Sequence, residues 1–174
     1  EEAQRRGLPN LPSMVDAIPA LGTEKAVKLF ESFGVFTRAE LESRMEIKYE
    51  TYAKTINIEA RTMLDMASKE IIPAVIRYAR EVADSLNSVK AAGCDYSVQG
   101  ELLRSVSEKL REAQDAYQNL KKRSGEAAEL AEGEEQARFC HDTVVPAMNA
   151  LRAPVDELEM MVDKKVWPMP SYAE

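Results

Sequence analysis

The sequence predicts an all-α fold: an elongated bundle of three long antiparallel helices plus one short N-terminal helix. Two observations carry this prediction. Only seven of the 174 residues are glycine, and 45% hydrophobic with 30% charged residues suits long amphipathic helices better than a sheet. Apolar residues also recur at steps of three and four along most of the chain, as on the buried face of a helix.

Proline and glycine positions divide this pattern into segments. Pro9, Pro12 and Pro19 interrupt regular structure near the start of the chain, whereas long uninterrupted apolar patterns follow. Two prolines near the end force the last residues away from helical geometry. Three segments are therefore predicted: an extended connector over residues 1–22, a helical bundle domain over residues 23–166 and an extended tail over residues 167–174.

The first two helices of the bundle have clear start signals. Thr23 can cap a short helix that Gly34 ends. Thr37 and Glu40 have the spacing of a capping box, in which each side chain bonds the backbone N–H of the other residue. The second helix is predicted to run for roughly 55 residues, or about 80 Å, with a kink or a full break near Pro73.

The third helix is predicted after a loop that begins at Gly93, and the fourth after an acidic turn near Gly133. The fourth pattern extends to Val166, with bends expected at Pro146 and Pro154. The third helix has a heptad seam of apolar residues: Leu103, Val106, Leu110, Ala113, Tyr117 and Leu120.

The helix lengths predict which apolar surface the other long helices leave uncovered. Two helices of about 30 residues cover only about the last 30 residues of the second helix, so its first half should protrude at the end opposite the Gly93 loop. Its apolar stripe would be covered by the first helix, by the connector or by another molecule. The stripe and the aromatic tail, predicted to lie near Gly93, form a candidate interface: Met45, Tyr49, Tyr52, Ile56, Trp167, Pro168, Pro170 and Tyr172.

Several function classes are disfavoured by composition. The net charge of −7 argues against a binding surface for nucleic acid or an anionic membrane. No apolar run reaches the length of a membrane span, and Cys94 and Cys140 lack a paired spacing. A cytoplasmic location is therefore expected. Because the chain begins at Glu1 without methionine and stops at Glu174, we expect an excised part of a larger protein.

No catalytic or metal site is predicted from the residues. Cys140, His141 and Asp142 include a nucleophile, a base and an orienting carboxylate, but consecutive helical residues point in different directions. Cys140 is predicted to be a core residue. One histidine and two separated cysteines form no zinc pattern. A solvated helix face is favoured over cation binding for a group of carboxylates in the fourth helix: Asp156, Glu157, Glu159 and Asp163.

Three blocks of the sequence resemble the C-terminal region of the type III glutamine synthetases. Residues 153–172 (APVDELEMMVDKKVWPMPSY) are the longest block. Residues 13–20 (SMVDAIPA) resemble the connector after that family's catalytic part, and residues 46–60 (EIKYETYAKTINIEA) resemble its following helix. The resemblance covers nearly the whole chain.

This resemblance implies a parent enzyme that makes glutamine from glutamate, ammonia and ATP with a divalent cation, Mg or Mn, in a homo-oligomer of stacked hexameric rings. The family's metal- and nucleotide-binding residues lie upstream of the matched region, so no cofactor is expected in this chain, and the chain alone is predicted to be inactive. Its expected partners are the upstream catalytic domain and other subunits, and its expected role is subunit packing.

Two other interpretations come from the residues alone. A free-standing helical adaptor could bind a partner helix through the protruding half of the second helix. A four-helix metal or cofactor bundle would need inward carboxylates with a Glu-x-x-His step, which His141 does not complete.

Overall fold

A computed structural model describes residues 2–170, and within that range the backbone forms helices and no strand. The all-α class is therefore confirmed, although the described range contains more short helices than predicted. Its α-helices are α1 (Glu2–Arg5), α2 (Met14–Ala17), α3 (Glu24–Ser32), α4 (Arg38–Met66), α5 (Ile72–Ala91), α6 (Ser97–Glu129), α7 (Glu134–Phe139) and α8 (Val145–Met161). A 3-10 helix spans Ile18–Gly22, and two π-helical turns span Ala67–Ile71 and Cys140–Val144.

The N-terminal connector is partly helical rather than extended, which corrects the prediction. Ser13 caps α2 by accepting a hydrogen bond from the backbone N–H of Asp16 at 3.1 Å. Val15 and Ile18 are 1% and 2% exposed, because they pack on the core beneath α4. Pro19 lies at the start of the 3-10 helix, where its missing N–H leaves no helical bond unmade. Apolar burial therefore folds this segment despite its prolines.

The predicted caps of α3 and α4 are confirmed. The Thr23 hydroxyl accepts a hydrogen bond from the backbone N–H of Ala26 at 3.3 Å. Gly34, just after α3, has a φ of +63°, a left-handed conformation that favours glycine. Both halves of the capping box form at α4: the N–H of Glu40 donates to the Thr37 hydroxyl, and the N–H of Thr37 donates to the Glu40 carboxylate at 2.8 Å.

The long helix continues through Pro73 without a break. The turn before this proline widens, so that the backbone N–H of Ile72 bonds the carbonyl of Ala67, five residues earlier. A proline lacks the N–H that would bond the fourth preceding carbonyl, and its ring crowds that carbonyl, which the wider turn accommodates. The second π turn precedes Pro146 at the same spacing. The disturbance predicted near Pro73 is therefore a widened turn.

The heptad seam of α6 forms the centre of the bundle. Val106, Ala113 and Leu120 are each 0% exposed, and Ala127 one heptad later is 6% exposed. The helix continues to Glu129, beyond Leu120, the last residue of the predicted seam. The chain then turns at Gly133, whose φ is +120°. Long helical contacts along this seam join α6 to both α5 and α8.

The fourth helical segment ends earlier than predicted. Its last helix, α8, stops at Met161, and Val162 has an extended ψ of 141°. Pro154 lies inside α8 with its side chain buried, and the helix passes through it. Val166, predicted to be the last helical residue, lies in the turn that follows α8.

The protruding end of the molecule is the opposite of the predicted one. The first half of α4 is covered by α7 and by the 3-10 helix of the N-terminal segment. No residue between 83 and 105 is buried, so the end of the α5–α6 hairpin projects as two helices. The prediction failed because it aligned the fourth helix with the second half of the long helix, whereas α7 packs along the first half.

Replacement of Thr37 by alanine should destabilise the chain, because it removes the side chain that accepts the Glu40 N–H. We expect the free energy of unfolding in urea to fall by about 1 kcal/mol at pH 7. Ser107→Ala is the matched control, since the Ser107 hydroxyl bonds only the Leu103 carbonyl within α6. An equal loss in both variants would contradict a specific role for the cap.

The Glu40 carboxylate gives this cap a pH dependence. Hydrogen bonds from the Thr37 backbone and hydroxyl lower the pKa of Glu40 below its ordinary value. Its stabilising contribution is therefore complete above the ordinary glutamate pKa and is lost as the pH falls through the lowered pKa of the folded state. In acid, the difference in unfolding free energy between wild type and Thr37→Ala should shrink.

Candidate interface

A compact turn after α8 reverses the chain and directs the aromatic tail. The backbone carbonyl of Asp163 accepts hydrogen bonds from the N–H groups of Val166 and Trp167, at 2.8 and 3.0 Å. The Asp163 carboxylate also accepts the N–H of Lys165 at 2.7 Å. This carboxylate therefore stabilises a turn after α8, which corrects the prediction that Asp163 lies on a solvated face of the fourth helix.

The reversed tail packs on its own domain. Trp167 and Met169 contact the apolar cluster formed by residues of the long helix, α6 and α8, including Ile71, Val106 and Leu158. Together with Pro170 they line a cleft of about 290 Å³. The remaining lining residues come from the long helix and from α8: Met63, Met66, Ala67, Ile71, Leu151, Arg152, Val155, Asp156 and Glu159.

Trp167 lies beside the π turn in the middle of the long helix, and not near the loop at Gly93 as predicted. The prediction assumed that the fourth helix continues to Val166, whereas the turn at Asp163 brings the tail back. The indole Nε1 of Trp167 is buried and has no hydrogen-bond partner in the structure. The contact is thus carried by the apolar part of the ring.

The other tail residues contribute less to this packing. Pro168 is half-buried and Pro170 is exposed at the edge of the cleft. Tyr172, the fourth tail residue of the candidate interface, lies outside the described residues. The prolines keep residues 168–170 out of a helix, and the chain bends at Met169 between them.

The stripe on the first half of the long helix belongs to the domain core. Tyr49 is 3% exposed and Ile56 is 9% exposed, and Met45 and Tyr52 pack at the edge of the same cluster. The cover comes from the N-terminal segment and from the start of the fourth helical segment, around Ala137. Sequence reasoning named the connector as one possible cover but missed α7.

The Tyr49 hydroxyl is buried beside the ion pair of Glu134 and Arg138, whose charged atoms are 2.7 Å apart. It makes no hydrogen bond of standard geometry there. Burial raises the pKa of Tyr49 above its ordinary value, and the neighbouring Glu134 carboxylate raises it further. The phenol therefore stays neutral and acts as a core side chain.

An acidic cleft of about 510 Å³ lies where the turn at Gly133 meets α4. Two of its carboxylates are engaged in ion pairs, Glu50 with Lys54 and Glu134 with Arg138. The acidic turn predicted near Gly133 thus faces further acid on α4. The carboxylates that line the cleft are Glu42, Glu46, Glu50, Glu132 and Glu134.

The side chains of the Cys140, His141 and Asp142 run point in two directions. Cys140 is 2% exposed and faces the core, as predicted. His141 and Asp142 do meet, with 2.6 Å between Nδ1 and Oδ1, which corrects the expectation that no two of the three would face each other. The contact forms within the second π turn. The histidine thus pairs with the carboxylate, whereas the thiol faces the apolar core.

The carboxylates of α8 do not converge on one point. Asp156 pairs with Arg152 at 3.2 Å, and Glu157 pairs with Lys109 of α6 at 3.1 Å. Glu159 lies at the edge of the tryptophan cleft. Across the part of the chain that the structure describes, no three histidine, cysteine or carboxylate side chains are grouped as metal ligands would be.

Comparison with known proteins identifies the source of this architecture. Residues 1–90 match the family model described as the glutamine synthetase C-terminal domain. The whole chain also aligns with a type-3 glutamine synthetase of Dictyostelium discoideum at 34% identity. The chain belongs to the glutamine synthetase family. The resemblance to the type III enzymes is thereby confirmed.

Two further relatives agree with this assignment. Glutamine synthetases of Butyrivibrio fibrisolvens and Bacteroides fragilis (strain YCH46) align with the whole chain at 31% and 26% identity. The chain spans only 24% to 25% of the length of the three relatives. It therefore corresponds to about a quarter of a glutamine synthetase.

The described residues do not fit the ATP and divalent cation that a glutamine synthetase implies. Many of their carboxylates form ion pairs along helix surfaces, Asp163 binds backbone in a turn, and no three are grouped as metal ligands would be. Among residues 2–170 no charged side chain is buried, and the buried polar atoms without a hydrogen-bond partner are the Tyr49 hydroxyl and the Trp167 indole Nε1. We therefore assign no catalytic step to this domain.

Among residues 2–170, every helix is too short or too polar to span a lipid bilayer.

Trp167→Ala should destabilise the domain by about 3 kcal/mol, because it leaves the apolar cleft without its largest side chain. Trp167→Phe should cost much less, since the indole N–H makes no hydrogen bond and the phenyl ring retains most of the contact. Urea unfolding of both variants checks the pair. Equal losses would contradict the conclusion that the apolar part of the ring carries the contact.

The two cysteines should differ in reactivity. Burial raises the pKa of the Cys140 thiol, which disfavours the reactive thiolate, whereas Cys94 is exposed in the loop after α5. Iodoacetamide at neutral pH should therefore modify Cys94 in the native chain and Cys140 only after urea is added. Peptide mass spectrometry measures both sites, and early modification of Cys140 would contradict its placement in the core.

Proposed function

We propose that this chain is a non-catalytic helical domain of a cytoplasmic enzyme that forms glutamine from glutamate, ammonia and ATP, and that it supports packing within or between subunits. The single observation that carries the proposal is the 34% identity over the whole chain with a type-3 glutamine synthetase of which it spans 24%. The catalytic part would then be supplied by the other three quarters of the polypeptide.

The construction of the domain supports a packing role. Its buried residues are apolar throughout the described range, with close-packed alanine positions along the long helix. Several large apolar side chains nevertheless remain on the surface, among them Phe33 at 75% exposure and Ile58 at 66%. Such groups are suited to contacts with a neighbouring protein surface. ATP and a divalent cation, Mg or Mn, are assigned to the parent enzyme and not to this chain.

The cytoplasmic location is supported by the two free thiols, Cys94 and Cys140. The alternative of a free-standing adaptor was based on an uncovered stripe in the first half of the long helix. Tyr49 and Ile56 of that stripe are buried in the domain itself, so the stripe does not support the adaptor.

Activity measurements test whether catalysis belongs to the rest of the parent enzyme and not to this chain. The isolated 174-residue chain should show no ATP-dependent glutamine formation in the presence of Mg²⁺ or Mn²⁺, whereas the full-length parent should be active. Circular dichroism confirms that the isolated chain is folded in the same assay buffer. Turnover by the isolated chain would contradict the proposal.

The packing role has its own measurement. Removal of the segment from the full-length parent should reduce the size of its assembly, as measured by light scattering after size exclusion. The Ser107→Ala full-length enzyme serves as the control for a surface change that leaves the domain folded. An assembly of unchanged size without the segment would contradict the role in packing.

A further inference from the structure

The outer face of α4 carries an uncharged stripe in a protein whose residues are 30% charged. The stripe follows one side of the helix at steps of four, four, three and four residues, opposite the side buried in the domain. Its isoleucines, Ile47 and Ile58, are 57% and 66% exposed. We call it the outer stripe, and its members are Ile47, Thr51, Thr55, Ile58 and Thr62.

The threonines of the outer stripe have their hydroxyl groups engaged within the helix. Thr51 donates to the Ile47 carbonyl at 2.7 Å, Thr55 to the Thr51 carbonyl at 2.9 Å, and Thr62 to the Ile58 carbonyl at 2.9 Å. Because the hydroxyl groups of these threonines bond within the helix, their methyl groups are left for apolar contact with a partner. The stripe is apolar over its whole length, roughly 24 Å of helix.

We infer that the outer stripe is a two-fold contact with a second copy of this chain, in which two α4 helices pack antiparallel. The proposal rests on the assembly role proposed above and names one contact within it. The part of the stripe from Ile47 to Ile58 is self-complementary about a point between Thr51 and Thr55, and Thr62 lies beyond it. In the antiparallel pair, Ile47 lies level with Ile58 of the second copy, and the small threonines meet at the centre, where two helices approach most closely.

The charges beside the stripe favour this partner. A two-fold axis perpendicular to both helices places the same edge of the two α4 helices side by side. A charged residue on that edge therefore faces residues on the same edge of the second copy. Lys48 and Glu59 share one edge, and each lies within about 3 Å of the level of the other residue of the second copy. On the other edge, Lys54 lies close to the level of Glu50 of the second copy. Both edges therefore place opposite charges together.

Lys48 and Glu59 provide a clean test because they are three turns apart in α4 and cannot contact each other within one chain. Lys54 and Glu50 are less diagnostic, since they already form an ion pair in the same helix. A rescue between positions 48 and 59 therefore reports a contact between two molecules.

Sedimentation of the 174-residue chain, in reducing buffer because Cys94 is exposed, measures the contact. The wild type should show a concentration-dependent dimer. Ile58→Asp should raise the dimer dissociation constant at least about tenfold, since it places charge in the apolar stripe. Ile76→Asp is the matched control, because Ile76 is an isoleucine 54% exposed on α5. It should leave dimerisation unchanged.

Charge reversal then tests whether the two α4 helices pack antiparallel. Lys48→Glu alone and Glu59→Lys alone should each weaken the dimer several-fold, and the double variant should restore it. A chain that stays monomeric at all concentrations, equal effects of Ile58→Asp and Ile76→Asp, or no rescue in the double variant would each overturn the proposal. Because these measurements use self-association and not glutamine formation, the proposed function can stand if the stripe contact fails.

Discussion

Close packing along a row of alanines in the long helix is the constraint on which the rest of the structure depends. Ala53, Ala60, Ala67 and Ala74 recur every seven residues, and each is no more than 2% exposed. Side chains this small let neighbouring helices approach closely, and any larger group would force them apart. Larger residues at intervening positions, such as Ile56, complete the seam. The inner face of the first half of the long helix is therefore buried within the domain, whereas the lengths of the helices had predicted that this half protrudes.

The two π turns keep this seam continuous despite the prolines that follow them. In each case an N–H group bonds the carbonyl five residues earlier, Ile72 to Ala67 and Val145 to Cys140. The widened turn makes room for the proline ring and leaves the helix intact on both sides. Ala67, Cys140 and Val144 belong to the same apolar cluster. The local departures from α-helical geometry thus lie inside the core, where the packed side chains hold them in place.

Local signals in the sequence predicted local structure well. The capping residues Thr23 and Thr37 act through neighbours within one helical turn, so the residues themselves determine the outcome. The heptad spacing of α6 likewise identified its buried face, including Val106 and Leu120. The placement of Trp167 was missed because it depends on where α8 ends. That end is set by a turn around Asp163, whose carboxylate and carbonyl bind nearby N–H groups. Apolar periodicity continues to Val166 and gives no sign of this turn.

The buried stripe and the outer stripe of α4 also differ in how much of them the sequence predicts. Periodicity identified the apolar residues Tyr49 and Ile56 and could not say whether this chain or another covers them, because cover depends on the register between distant helices. Threonine, by contrast, is a polar residue in any sequence count. Only the structure shows that the hydroxyl groups of Thr51 and Thr55 donate to backbone carbonyls of the same helix. The apolar character of that face therefore follows from hydrogen bonding, and α4 presents contact surfaces on both of its sides.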